Sequence, residues 1–278
     1  AETEAWEYGI SKEKNKNAQK SYINIFPNSK HLDSALQKMA EFNKFEAELL
    51  PGKTFQDCPS CPEMVVIPSG SFNMGSNKND DEKPIHMVTL SRKFAMSKTE
   101  VTQAQWKSVM GTNPSGFTSC GDSCPVEQVS WNDAIDFAQK IGKQTGQTYR
   151  LPSESEWEYA CRGGSSQNYC GNDNEDYVAW HNENSGSSTH PVGKKQPNAL
   201  GLYDMSGNVW EWLEDSSHSN YIGAPANENI WQGDFAKKGL RGGSWNYSAR
   251  VANTSFRNGL SPTTRTNFIG VRLVRVIQ

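Results

Sequence analysis

The chain of 278 residues has no apolar run long enough to cross a membrane. It has no surplus of positive charge either: 28 Lys and Arg stand against 31 Asp and Glu, a net charge of −3. Nonspecific nucleic-acid binding needs a basic face, so no nucleic-acid partner is expected. Internal repeats and coiled-coil heptads are absent. No signal peptide is read: the opening AETEAWEYG suggests a mature or trimmed start. Gly (23) and Trp (9) are plentiful, together with Asn and Ser, and apolar content is modest at 35%. That balance favours a loop-rich globular protein with short strands over a helical bundle. The length allows one large domain, or a medium one plus a small one, with a sizeable core.

Six cysteines fall into three close pairs: Cys58 with Cys61, Cys120 with Cys124, and Cys161 with Cys170. Local disulfides, and hence an exported protein, are the expected reading. Two alternatives stand beside it. CPSC has the spacing of half a zinc site, but no second C-x-x-C occurs later in the chain and the five histidines are dispersed. It also has the spacing of a redox pair, but without a strand-to-helix setting.

Residues 1–50 carry apolar positions at helical spacing: Trp6, Ala18, Tyr22, Ile25, Phe26, Ala35, Leu36 and Met39. Pro27 and Asn28 interrupt them and Ser29 can cap a second helix, which predicts a helical hairpin. It resembles a short tetratricopeptide-like unit, which cannot bury its own face alone. A linker over 51–63 is expected next, then a domain over 64–278. There MVVIPSGSFNMGS and HMVTLSRKFAMS predict four strands. Thr102 with Gln105 predicts a capping box, and Ser130 or Asn132 caps a further helix ended by glycine. YRLPSESEWEYACRGG predicts a third helix of this domain, a short one, and Ile269 to Val276 a closing strand.

The blocks MVVIPSGSFNMGS, KTEVTQAQW, PVEQVSWNDA, YRLPSESEWEYACRGG, PNALGLYDMSGNVWEW and LRGGSW…R…GVRLV occur in this order over about residues 62–277. Together they resemble the formylglycine-generating enzyme (sulfatase-modifying factor) family. The resemblance implies an α+β fold: the family's version of the C-type lectin-like fold, loop-rich, with a small twisted antiparallel sheet and two main helices. The family's oxidases use two cysteines downstream of the GGS-aromatic motif to hold copper, because soft sulfur ligands suit Cu(I). Those positions fall near Tyr247 and Ala252, so no copper and no oxidase chemistry are expected. Ser244 matches the family's serine but has no activating partner in view. The related iron enzymes need a His-rich helical domain, and the first 50 residues offer only His31. The resemblance also implies a calcium loop in YDMSGNVWEW, with the Asp204 and Glu211 carboxylates and the Gly207 and Val209 carbonyls as an oxygen cage. A looser match to a second calcium site covers Asn182 to Gly186.

Between Asn246 and Phe268 there is no Lys, Glu, Gln, Met or Trp. A subgroup of the family is diversified by retroelements that rewrite adenines, often in AAC codons near the 3′ end of the gene. Such rewriting cannot yield those five residues. The positions expected to be exposed and variable are Tyr247, Ser248, Thr254, Ser255, Phe256, Asn258, Gly259, Leu260, Ser261, Thr263, Thr264, Thr266, Asn267 and Phe268. With Trp245 they form the candidate ligand-binding set. Arg250, Arg257, Pro262, Arg265, Ile269 and Gly270 are read as frame. Small polar residues with a few rings make an adaptable contact surface on a rigid scaffold.

Trp106, Trp131, Trp157, Trp210, Trp212 and Trp245 are read as core and turn anchors, while Trp180 and Trp231 could border the binding face. Glu154, Glu156 and Glu158 sit at a helix N-terminus, where negative charge is favoured anyway, and receive no catalytic role. The expectation is a ligand-binding protein without catalysis, taking a protein or a glycan. An oxidoreductase or maturation factor of the same fold, or a scaffold domain of a larger signalling protein, are the alternatives. The expected place is outside the cytoplasm, periplasmic or on the cell surface, where a lipid anchor is one means of attachment. Nothing in the sequence indicates an oligomeric state.

Overall fold

The computed structural model describes residue 6, residues 16–233 and residues 236–277. The expected trimmed start, and the side chain of Ala18, lie outside the described residues. The chain divides into two compact units, Ala1–Lys53 and Thr54–Gln278.

In the first unit, helix α1 (Lys16–Ile25) and helix α2 (Leu32–Glu48) form the expected hairpin. Tyr22, Ala35 and Leu49 are buried. The turn between the helices is held by Ser29, whose Oγ accepts from His31 N at 3.0 Å and pairs with Tyr22 Oη at 2.7 Å. Ile25, Leu36 and Leu50 remain exposed.

The second unit is built on two small sheets. The larger contains β1 (Thr54–Phe55), β2 (Met64–Ile67), β5 (Phe94–Ser97), β13 (Val274–Val276) and β6 (Tyr149–Arg150), in that order and antiparallel throughout. MVVI and FAMS are buried at every position, which explains why they are uninterrupted and not alternating. Residues 54–55, read from sequence as linker, pair with Val65 and Met64 and so belong to the sheet. The second sheet runs β11 (Asn258–Leu260), β10 (Lys238–Arg241), β9 (Trp210–Ser216), β12 (Ile269–Gly270). A hairpin of β3 (Gly70–Met74) and β4 (His86–Leu90), and a parallel pair of β7 (Ala179–Trp180) and β8 (Ser206–Gly207), complete the strands among the described residues.

Helices α3 (Gln103–Met110), α4 (Trp131–Thr145) and α5 (Glu154–Arg162) each open on a complete capping box: Thr102 with Gln105, Ser130 with Asp133, Ser153 with Glu156. Each is followed by a left-handed glycine, at 111, 146 and 163. A four-residue helix, α6 (Glu175–Val178), leads into β7.

The closing strand differs from expectation. Its two ends belong to different sheets: β12 runs parallel to β9, and β13 lies antiparallel to β5 and β6. Val271, Arg272 and Leu273 between them are all buried, so strict strand alternation fails there. Arg272 turns inward and forms an ion pair with Glu211 at 2.8 Å, with neither side chain exposed.

The core combines an apolar cluster around Trp157, Met96, Leu213 and Leu202 with a set of buried ion pairs. Arg241 contacts Glu154 at 2.9 Å and Glu158 at 2.7 Å, and Arg257 contacts Glu154 at 2.6 Å. Glu158 also accepts from Gly75 N at 2.9 Å and pairs with Arg162 at 2.7 Å. The three glutamates of α5 are thus ion-paired, Glu156 being bound by Arg150 at 2.6 Å. All six cysteines are joined as the expected local disulfides, 58–61, 120–124 and 161–170. No helix among the described residues is long and apolar enough to cross a membrane.

Burial alone would raise the Glu154 pKa, but Arg257 and Arg241 outweigh it and hold the carboxyl at about 2. A carboxylate depressed in the fold stabilises above its ordinary value of 4.5, and that contribution is lost as pH falls toward 2. Glu154→Gln, which leaves Arg241 and Arg257 buried with one partner fewer, is expected to cost about 3–5 kcal/mol in urea unfolding at pH 7. The deficit against wild type should narrow below pH 4. A neutral substitution at pH 7 would overturn this account of the core.

Candidate functional site

The C-terminal run starts where β10 ends. Gly242 and Gly243 both take positive φ, 100° and 75°. At Gly243 a Cβ would lie 2.8–3.0 Å from Ala252, so no larger residue fits that turn without displacing backbone. The turn delivers Trp245, whose N donates to Asn208 O at 2.8 Å. The Trp245 Nε1 donates to Asn267 O at 2.9 Å, and its ring meets Phe117 edge-on at 5.2 Å. Loop 182–186 props the same turn from the side. Asn182 N donates to Tyr247 O at 3.0 Å, and Ser185 Oγ to Trp245 O at 2.8 Å. Ser244 Oγ donates to Asn246 Oδ1 at 2.8 Å.

Beyond Trp245 the run separates into residues that anchor and residues that face solvent. Asn246, Tyr247, Ser248, Arg250, Ser261, Thr263 and Arg265 are exposed. Phe256, Asn258, Gly259, Leu260, Thr264, Thr266, Asn267 and Phe268 are half-buried, as is Trp245. Thr254 and Ser255 correct the expectation, for both are buried. Thr254 O accepts from Arg241 Nη1 at 2.9 Å, and Thr254 N donates to Asn168 O at 2.9 Å. Ser255 Oγ donates to Glu82 Oε2 at 2.9 Å. Both are fixed by polar partners distant in sequence, so their small size reflects packing and not display. Of the residues read as frame, Arg257 is buried against Glu154, whereas Arg250 is exposed and Arg265 reaches out to Asp133 at 2.8 Å.

Three of the predicted rings converge. Tyr247 lies 5.7 Å from Phe268 and 6.0 Å from Trp210, and Phe256 lies 6.2 Å from Trp210. Trp210 forms the floor: it is 1% exposed, and its Nε1 is buried without a hydrogen-bond partner. Sequence reasoning placed Trp210 in the core and missed that its ring also supports this patch. Trp245, Ser248, Thr254 and Ser255 lie earlier in the run, and the rest of the set is spread along β11, an edge strand, and along the loop 261–268. That loop is pinned by Trp131 N to Pro262 O at 3.1 Å and Gln128 N to Thr266 O at 2.9 Å. A separate groove of about 550 Å³, lined by Arg92, Lys93, Phe94, Glu228 and Ile277 among others, contains none of the predicted residues.

The expected calcium ligands are placed differently from a simple cage. Both Glu211 oxygens accept from Arg272, and Oε2 also accepts from Trp157 Nε1 at 2.6 Å. Gly207 N donates to Gly242 O at 2.8 Å. Asp204 Oδ2 accepts from Gly193 N at 2.7 Å, while Oδ1 is buried without a partner. Burial pushes the Asp204 carboxyl up to about 6. Burial, with Asp204 and Glu211 nearby, pushes Glu100 well above the carboxylate range, although Asn208 and Val209 donate to it. No group of three or more His, Cys, Asp or Glu among the described residues is arranged to hold a metal ion. Asp204 Oδ1 is therefore the oxygen of the two predicted carboxylates that has no hydrogen-bond partner. In the looser 182–186 match, Asn184 Oδ1 accepts from His181 N at 2.9 Å and its Nδ2 donates to Asp176 and Ala179 O.

The fold and the order of its blocks point to one family, and residues 51–277 match the sulfatase-modifying factor enzyme 1-like domain. The chain belongs to this family. Its α+β architecture is the C-type lectin-like one of formylglycine-generating enzymes. Among curated proteins it is 35% identical to "Chaperone protein LppX" of Paenibacillus barcinonensis, over 77% of this chain and 89% of that one. Among solved structures it resembles PvdO from Pseudomonas aeruginosa, with a TM-score of 0.75 and 32% identity over 82% of this chain and 99% of that one. It also resembles Treponema denticola variable protein 1, with a TM-score of 0.73 and 30% identity over 80% of this chain and 98% of that one.

The division between anchoring and displayed positions has a direct test. Ser255→Tyr should cost about 3 kcal/mol or more, since it overfills a buried site and removes its bond to Glu82. Ser248→Tyr, in the same run but exposed, should stay within about 0.5 kcal/mol. Equal losses in thermal unfolding would contradict the assignment.

Proposed function

We propose that this protein binds a protein ligand, without catalysis, through the surface formed by Tyr247, Phe256 and Phe268 over Trp210 and by the neighbouring small polar residues. The observation that carries this reading is the separation of anchoring from displayed positions. Buried arginines and backbone bonds fix the run, and rings and hydroxyls are left on its outer side. Tyr and Phe supply contact area at low entropic cost, and Ser, Thr and Asn supply adaptable hydrogen bonds. The likeness to a Treponema variable protein supports diversification of this surface by a retroelement. The name of the Paenibacillus relative, a chaperone, supports a protein as ligand in preference to a glycan.

Absence of the family's oxidase chemistry is part of the proposal. By resemblance, the positions of the oxidases' copper thiolates fall near Tyr247 and Ala252, and all six cysteines are in disulfides. Denaturing thiol titration before reduction should therefore find no free thiol, and added Cu(I) should find no soft site. Export is proposed on the same disulfides, which need an oxidising compartment. Calcium is retained as a structural ligand at Asp204 Oδ1, completed by main-chain oxygens. Millimolar calcium should then raise the melting temperature of the wild type and not of Asp204→Asn; no shift in wild type removes the site.

Two measurements test the binding reading. DNA downstream of the gene should contain a near-copy of the segment encoding residues 240–275, differing only at adenines of the copy and accompanied by a reverse transcriptase. Its absence would leave a surface of fixed specificity. Screening the folded protein against arrayed proteins and glycans should give hits that weaken about tenfold or more in Tyr247→Ala and Phe268→Ala, as expected for central aromatic contacts. Hits indifferent to both substitutions would place the ligand elsewhere.

A further inference from the structure

The C-P-S-C segment takes no part in the surface around Tyr247 and Phe268. Its disulfide closes the shortest loop of the three, with a sequence separation of 3 against 4 and 9. Short loops gain the least from constraining the unfolded chain, so this bridge is the poorest of the three as a stabilising device. The turn also does not depend on it. Cys61 N donates to Cys58 O at 3.0 Å. Gln56 Nε2 donates to Cys61 O at 2.6 Å and to Pro59 O at 3.3 Å. On the N-terminal side, Asp57 Oδ2 is held by Tyr149 Oη at 2.5 Å and by Arg275 Nε at 3.1 Å. The loop is thus framed by hydrogen bonds that do not involve the sulfurs.

The two cysteines also differ in access. Cys58 is half-buried, its sulfur 3.7 Å from the Ser60 hydroxyl, whereas Cys61 is 0% exposed. An incoming thiolate can reach one sulfur and not the other. The Cys161–Cys170 bridge offers no such entry, since both of its residues are buried in the core. Cys120–Cys124 shares the asymmetry, with Cys120 half-buried and Cys124 0% exposed, but it adjoins no strand of the larger sheet. Finally, the two-residue β1 leads into the loop and is one of the two edge strands of the larger sheet. Edge strands present unpaired main-chain groups to which an extended segment of another polypeptide can add.

We propose that Cys58–Cys61 is a thiol–disulfide exchange site whose substrate is a protein dithiol. A partner thiolate attacks Cys58 Sγ, and the electrons of the sulfur–sulfur bond leave on Cys61 as a thiolate, which is protonated only once the opened bridge admits water. The partner's second thiolate then attacks its own sulfur in the mixed disulfide and expels Cys58 as thiolate. The partner is oxidised by two electrons to a disulfide, and the Cys58–Cys61 pair is reduced to a dithiol. The reverse sequence reduces a partner disulfide.

The test uses the full chain in graded glutathione buffers, quenched with acid and mapped by alkylation and mass spectrometry. Cys58 and Cys61 should become alkylated under buffers that leave Cys161 and Cys170 bonded. In single variants, Cys61→Ser should form a mixed disulfide with oxidised glutathione about tenfold or more faster than Cys58→Ser, because accessible sulfur reacts first. Oxidised wild type should transfer its disulfide to reduced, unfolded ribonuclease A, and a Cys58→Ser, Cys61→Ser double variant should not. Circular dichroism of each variant separates lost reactivity from lost fold. The proposal is overturned if the 58–61 pair resists reduction as strongly as 161–170, if both single variants react at the same rate, or if glutathione reacts and ribonuclease does not. None of these outcomes depends on ligand binding at the C-terminal surface.

Discussion

The fold depends on charge held out of water. Glu154 sits between Arg241 and Arg257, and Arg241 extends the contact to Glu158, all four side chains being nearly inaccessible. Buried ions are tolerated only where each is paired and hydrogen-bonded. Here further guanidinium protons go to Thr254 O, Tyr221 Oη and Asp81 O. This lattice ties together three segments: helix α5, strand β10 and the C-terminal run. A second pair, Arg272 with Glu211, does the same for the link between the two sheets. Apolar burial alone would not fix a run as polar as 246–268. The arginines do, and they do so without consuming its outward positions.

Much of the scaffold was legible in the sequence because it obeys local rules. Thr102 with Gln105 and Ser130 with Asp133 begin helices as their spacing requires, and the αL glycines end them. MVVI and FAMS read as strands because they lack any polar interruption before their last residue. The cysteine pairs were legible for a similar reason, each being close in sequence. The features that escaped were non-local. Thr254 and Ser255 look like surface residues until Arg241, Asn168 and Glu82 are placed beside them, and the last two are remote in sequence. The break between β12 and β13 could not be read either, because Val271 to Leu273 continue the pattern of a strand. Glu211 and the carbonyls of Ser97 and Tyr203, none of them near in sequence, explain why Arg272 turns inward.

The candidate surface was legible as a region and not as a geometry. Its lack of Lys, Glu, Gln, Met and Trp marked its limits. Composition could not separate Ser248, which faces solvent, from Ser255, which is bonded to Glu82. The floor residue Trp210 lies far from the run in sequence and was recognisable only as a core aromatic. In the calcium loop, the resemblance supplied four oxygens, but the structure gives Glu211 to Arg272 and leaves one buried Asp204 oxygen without a partner.

Strand β13 lies between β5 and β6, pairing residues 274–276 with 94–96 and 149–150. Both of its neighbours are made long before it. Until residues 274–276 have been synthesised, β5 and β6 have an empty lane between them, and the sheet must be completed by contacts of high sequence separation, which form slowly. The displayed run immediately precedes that strand. Its residues therefore join the structure at a late step, after the rest of the framework is available to receive them. The outer positions of the run take no part in the pairing of β13 with β5 and β6, so the register that completes the sheet is set by residues outside them.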